Sequence, residues 1–165
     1  MSSLYKSPGV HIESAADRYV ALDAVETGVT AFLGVTAQGP RNEPTRVGSY
    51  EQYEKIFGAG DGFMEASVRG FFENSGRTAY ILNVAPRGGL DPTPDDFIGQ
   101  QGIEPRGLQA LEHVDHVDLI VAPDLMQHYR RSVGFPERSN VLAVQRAMVD
   151  HCEKMHDRFC LLDSM

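Results

Sequence analysis

The apolar positions of this chain fall into short blocks whose spacing alternates between that of strands and that of helices. From Thr27 the run Thr-Gly-Val-Thr-Ala-Phe-Leu-Gly-Val-Thr is dense in β-branched and apolar residues and stops at Gly39-Pro40, which predicts a buried strand followed by a loop over 41–44. Ser49 followed by Gln52 fits a capping box, and Tyr50, Tyr53, Ile56 and Phe57 share a helical face that Gly58 closes. Residues 58–62, Gly-Ala-Gly-Asp-Gly, read as a flexible joint. Met64, Val68, Phe71 and Phe72 then predict a second helix that Gly76 terminates. Residues 78–84 read as strand. Residues 85–107 carry four of the nine prolines and five of the sixteen glycines, so a long surface connection is expected there. Gly107-Leu-Gln-Ala-Leu111 makes a brief helix, and Val117-Asp-Leu-Ile-Val-Ala122 a strand stopped by Pro123. Ser139 is expected to cap the longest helix. In it Val141, Val144, Met148, Cys152 and Met155 line one side, and Asp150 with Lys154 forms an exposed pair on another. Residues 158–163 close as strand.

Strands separated by helices imply right-handed crossovers. The expected fold class is therefore α/β: three-layer, a mainly parallel sheet with helices on both faces. An extended amino-terminal arm is added to it. Ser7-Pro8-Gly9 breaks any helix, and Val10-His11-Ile12-Glu13 follows as a short alternating strand pattern. The organisation expected is an arm and hinge over 1–26 and an α/β domain over 27–165, with the long loop at 85–107. No covering helix follows the last strand, so that domain reads as incomplete at its carboxyl end.

Composition changes this picture little. With 165 residues, 42% hydrophobic and 23% charged, the chain is long enough for one domain with a real core. Fifteen Lys plus Arg against 23 Asp plus Glu give a formal charge of −8, which repels phosphate backbones and argues against nucleic acid as a partner. No apolar run approaches the roughly 20 residues that span a bilayer, and the start lacks the apolar segment of a secretion signal, so no membrane insertion is expected. A cytoplasmic product is the expectation. Cys152 and Cys160 then fall on a helix and a buried strand, where thiols in a reducing compartment pack rather than pair.

The candidate chemistry is sparse. Ligands of open α/β sheets bind beyond the carboxyl ends of strands, where Asp124 and Asp163 sit by this reading, as catalytic or metal-holding acids would. The plainer account is that aspartate starts turns, and no nucleophile elbow, phosphate loop or dinucleotide fingerprint accompanies the pair. The glycines of 58–62 lie between two helices without a preceding strand to aim their amides at a phosphate. His113 with His116, and Cys152 with His156, have metal-ligand spacing but no third ligand placed by sequence. Ser7 has no base placed beside it. The aromatics Tyr50, Tyr53, Phe57, Phe63, Phe71 and Phe72 could line a groove, but most sit at the spacing of core residues. No enzyme, no cofactor and no metal site is expected. The arm differs: a terminal strand has free backbone donors and acceptors, and adding to a neighbour's sheet edge satisfies them. Folding back on its own sheet is the alternative.

The order of segments resembles a known family. Tyr5-Lys-Ser-Pro-Gly-Val-His-Ile-Glu13, then Thr30-Ala-Phe-Leu-Gly34 leading to Gly39-Pro40 with Asn42 and Pro44, is similar to the opening of contractile tail sheath proteins of phages and of bacterial contractile injection systems. The likeness continues through Val47-Gly-Ser-Tyr-Glu-Gln-Tyr-Glu-Lys-Ile-Phe-Gly58, Phe71-Phe-Glu-Asn-Ser-Gly76 and the strand from Ala79. It extends to Asp96-Phe-Ile-Gly99, Gly107-Leu-Gln-Ala-Leu111, the strand from Val117, and His156-Asp-Arg-Phe-Cys-Leu-Leu-Asp163.

The resemblance implies a subunit of a helical sheath around an inner tube, built on a baseplate and shortening to drive the tube into a target. It implies as partners other sheath subunits, the inner tube protein, and baseplate and cap proteins. It also implies assembly in a bacterial host cytoplasm and a place in a virion tail or injection particle. The linking segment carried over is the arm: Tyr5, Ser7, Pro8, Gly9, Val10, His11, Ile12 and Glu13. Full sheath subunits continue beyond the strand corresponding to residues 159–163 into a part that completes the core domain. The rival readings are a small α/β hydrolase or metal-dependent enzyme using Asp124 and Asp163, and a monomeric binding module.

Overall fold

In the computed structural model, residues 26–60, 62–87, 91–99, 104–131 and 137–164 are described, without the side chains of 128–131. The arm residues 5–13 and nearly all of the expected hinge lie outside them. Eleven elements follow in order: β1 (Thr30–Gly34), β2 (Thr45–Val47), α1 (Tyr50–Phe57), α2 (Phe63–Glu73), β3 (Ala79–Asn83), α3 (Pro94–Ile98), a 3-10 helix (Gly107–His113), β4 (Leu119–Val121), α4 (Asp124–Arg131), α5 (Arg138–Met155) and β5 (Phe159–Leu161).

The five strands form one sheet in the order β2-β3-β1-β4-β5. β1 lies parallel between β3 and β4, with Phe32 opposite Ile81 and Val121, and β5 pairs parallel with β4. β2 runs antiparallel to β3 at the edge, so the sheet is mixed and mostly parallel. No strand was expected over 45–47. Three residues, one of them buried, are too few for an alternation to register.

Alternate side chains of the central strands feed two cores. Phe32, Ala79 and Ile81 meet Tyr53, Phe57, Met64 and Val68 of α1 and α2 on one face. Ala31, Leu33, Leu82 and Ile120 meet Phe97, Leu108, Leu111, Val141, Val144 and Met148 on the other. Period-two alternation thus divides each strand between two helical layers, which is why β1 is buried along its whole length.

Ser49 caps α1 as expected: its hydroxyl accepts the Gln52 amide at 3.2 Å, while the Gln52 side chain accepts the Gly48 amide at 2.8 Å. Two expectations need correction. The cap of α5 is Glu137, whose amide donates to the Asn140 side chain at 3.1 Å, and Ser139 lies inside the helix, bonded to the Glu137 carboxylate. The connection 85–107 also contains α3, where the Asp96 carboxylate accepts from both the Thr93 amide at 2.9 Å and its hydroxyl at 2.8 Å. Phe97 anchors it in the core. Gly99 shows why the segment is glycine-rich: at φ +79°, a Cβ there would stand 1.7 Å from the Arg106 carbonyl oxygen. The two ends of the loop meet backbone to backbone.

Candidate functional site

The strand order reverses around β1, which places the ligand-binding position of an open α/β sheet beyond the carboxyl ends of β1 and β4. Asp124, the first residue of α4, occupies it. Its Oδ2 accepts the Val35 amide at 2.8 Å and its Oδ1 the Met64 amide at 2.9 Å, so one carboxylate ties the end of β1 to the first turn of α2. Asp124 is buried, and the chain makes room for it at Gly34, where a Cβ would lie 2.6 Å from Oδ2. The crevice that would receive a ligand is filled by this clasp.

Asp163 stands apart. It is exposed, its backbone oxygen accepts from the Gln145 side chain at 2.8 Å, and it lines a shallow groove of about 400 Å³ with Phe63, Pro123 and Met126. Asp124 is not among that groove's lining residues. The structure therefore uses the two acids separately, one as an internal bracket and one at the surface.

The glycine joint is likewise occupied by an acid. The Glu65 carboxylate accepts from the Gly60 amide, from the Tyr50 hydroxyl at 2.7 Å and from Arg69 at 2.9 Å. The tyrosine hydroxyl, together with the Gly60 amide, holds the Glu65 carboxyl below the usual carboxylate range. An amide already bound to a carboxylate does not recruit a phosphate.

His113 and His116 are both exposed, and His116 sits at φ +61° in the turn before β4. His156 ends α5 in the left-handed conformation, while Cys152 turns to the core and contacts Cys160. Burial, with Cys160 beside it, pushes the Cys152 thiol up to about 12, so it packs as a neutral group. Of the six aromatics, Tyr53 and Phe57 are buried and stacked with ring centroids 5.4 Å apart, Phe71 stands edge-on to Phe32, and only Phe63 is exposed.

Two features were not legible beforehand. His151 is buried in α5, and neither ring nitrogen has a hydrogen-bond partner. Burial, reinforced by the Arg158 guanidinium, lowers it to about 4. Arg158 has a fully buried side chain and donates to the carbonyls of Leu111 at 2.9 Å and Val114 at 3.2 Å, closing the end of the 3-10 helix. The second feature corrects an expectation. The strand carrying Cys160 is a sheet edge rather than a buried strand, and Phe159, Leu161 and Leu162 are exposed on it. A run such as Phe-Cys-Leu-Leu reads as buried because periodicity does not reveal that nothing covers one face. At the opposite side of the sheet Glu26, where the described chain begins, accepts from Arg46 at 3.2 Å and Thr78 at 3.1 Å.

Among the described residues no group of three metal-ligating side chains comes together, and no helix is long and apolar enough to cross a membrane. Neither a protein-family profile nor a curated protein sequence matches the chain. Solved structures do. The helical sheath of the anti-feeding prophage in its contracted state superposes with a TM-score of 0.59 at 20% identity, over 98% of this chain and 41% of that one. A chain of the contracted anti-feeding prophage baseplate gives 0.58 at 24% identity, over 94% of this chain and 39% of that one. The chain thus spans about two-fifths of the length of those subunits, and along nearly its whole described course it has the fold of a contractile injection system sheath protein.

Proposed function

We propose that this chain is a non-enzymatic structural subunit of a contractile sheath. Copies assemble helically around an inner tube, contact baseplate and cap proteins, and shorten to drive the tube into a target. The reading rests above all on the correspondence of the sheet and its helices with a sheath subunit over 98% of the chain. It is supported by the use of Asp124 as an internal bracket, which leaves no acid pair for hydrolysis. Residues 1–26 serve as arm and hinge and 27–165 as the α/β body. The arm segment Tyr5, Ser7, Pro8, Gly9, Val10, His11, Ile12 and Glu13 adds as a strand to a neighbour's sheet and keeps copies connected while rigid bodies rotate. No chemical step is required. The stored free energy is the difference between two packings of the same subunits. Assembly takes place in the bacterial cytoplasm, and the product is a virion tail or an injection particle.

Negative-stain imaging of the full chain mixed with sheath and tube proteins tests this. Tubes or rings that incorporate the chain are expected, and deletion of residues 1–13 abolishes incorporation. A chain that never enters the assemblies, or that enters equally well without those residues, overturns the proposal.

A further inference from the structure

β5 is the least protected element of the sheet. Phe159 is 77% exposed, Leu161 55% and Leu162 46%, side by side at an edge that pairs on one side only, with β4. The devices that usually blunt such an edge, a lysine, a proline or a bulge, are absent from Phe159-Cys160-Leu161. The Phe159 amide donates inward to the Asp118 carbonyl at 2.8 Å. Backbone groups alternate along a strand, so those of Phe159 and Leu161 point to β4 and those of Cys160 point to the open edge. Side chains alternate too. Cys160 packs towards the α5 core, and Phe159 and Leu161 project together from the other face.

We propose that this edge is self-complementary, and that two copies of the chain pair through antiparallel β5 strands about a two-fold axis at Cys160. In that register the two Cys160 residues exchange both N–H···O bonds. Phe159 of each copy then stands opposite Leu161 of the other in the closer, non-hydrogen-bonded position, an aromatic–aliphatic pair on one face of the joined sheet. A second copy is the occupant because the strand reads alike from either end: an outward-facing backbone at the centre, flanked on both sides by an exposed apolar side chain. The size also fits. A patch of a few hundred Å² per copy is of the kind that marks an interaction site. Two of them approach the roughly 1,000 Å² at which specific interfaces begin, so association is in the micromolar range. This isologous contact goes beyond the sheath reading and does not depend on it, since it uses β5 and not residues 5–13.

Sedimentation velocity of the full chain from about 1 to 100 µM tests the pairing. The expected result is a shift from one copy towards two. Phe159→Lys with Leu161→Lys, which sets like charges opposite one another at exposed positions, holds the protein at one copy throughout with unchanged circular dichroism. In a Cys152→Ser background, a short bis-methanethiosulfonate joins Cys160 to Cys160 of the other copy, and the joined species is lost in the double-lysine variant. The proposal is overturned if the wild type stays at one copy, if its association survives the lysines, or if no Cys160 crosslink forms.

Discussion

Replacing Asp124 by alanine should show what the carboxylate at the switch of the sheet is for. The substitution removes both acceptors at once and leaves the amides of Val35 and Met64 facing a small void beside Gly34. The bond to Met64 is buried and that to Val35 partly so. A hydrogen bond to a charged group contributes about 1.5–3 kcal/mol, and a buried donor left unpaired costs about 1–3 kcal/mol. With some relaxation the loss is about 3–5 kcal/mol, a large fraction of the stability of any single domain. For a chain of this size it lowers the melting temperature by roughly 10 °C. Asp124→Asn keeps one acceptor but turns an amino group towards the other amide, so it falls between wild type and alanine. Urea unfolding followed by circular dichroism gives the free energies, and amide exchange at Val35 and Met64 gives the local effect. Asp163→Ala is the control, within about 0.5 kcal/mol of wild type because the side chain is exposed. If Asp124→Ala lies within 1 kcal/mol of wild type, or if exchange at the two amides does not change, the clasp is not what holds β1 to α2.

His151, lowered from 6.5 to about 4, takes a proton in the unfolded chain before it does in the folded one, facing Arg158, Lys154, Glu112 and Asp157 as it does. Stability is therefore lost as the pH falls from 6.5 to 4, by about 3 kcal/mol in all. A His151→Leu variant should show a correspondingly shallower acid slope in unfolding free energy, and equal slopes would refute the assignment. Arg158→Lys cannot span the two carbonyls that the guanidinium fork reaches, and should cost about 2 kcal/mol in urea unfolding. A smaller loss than 0.5 kcal/mol would mean that a lysine or solvent replaces it fully. Gly99→Ala forces a side chain against the Arg106 carbonyl at a positive φ, so the loop closing on the 3-10 helix opens; loss of amide protection around 97–99 and 107–111 is the readout, and unchanged protection contradicts it.

By itself the sequence determined those elements whose signal is local. The apolar run of β1, the Ser49 cap of α1, the amphipathic stripe of α5 and the strand stop at Pro123 follow from side-chain period and backbone chemistry within a few residues. The order of motifs also pointed to the sheath fold. What depends on residues far apart in the chain was decided only in three dimensions. Asp124 meets Val35 at a separation of 89 residues and Met64 at 60, so the same aspartate that reads as a candidate catalyst becomes a bracket. Arg158 reaches Leu111 across 47 residues and is buried because carbonyls await it there. Cys160 lies on an apolar run that a periodicity argument buries, yet its strand is an edge, because burial is a property of what lies opposite a residue and not of the residue.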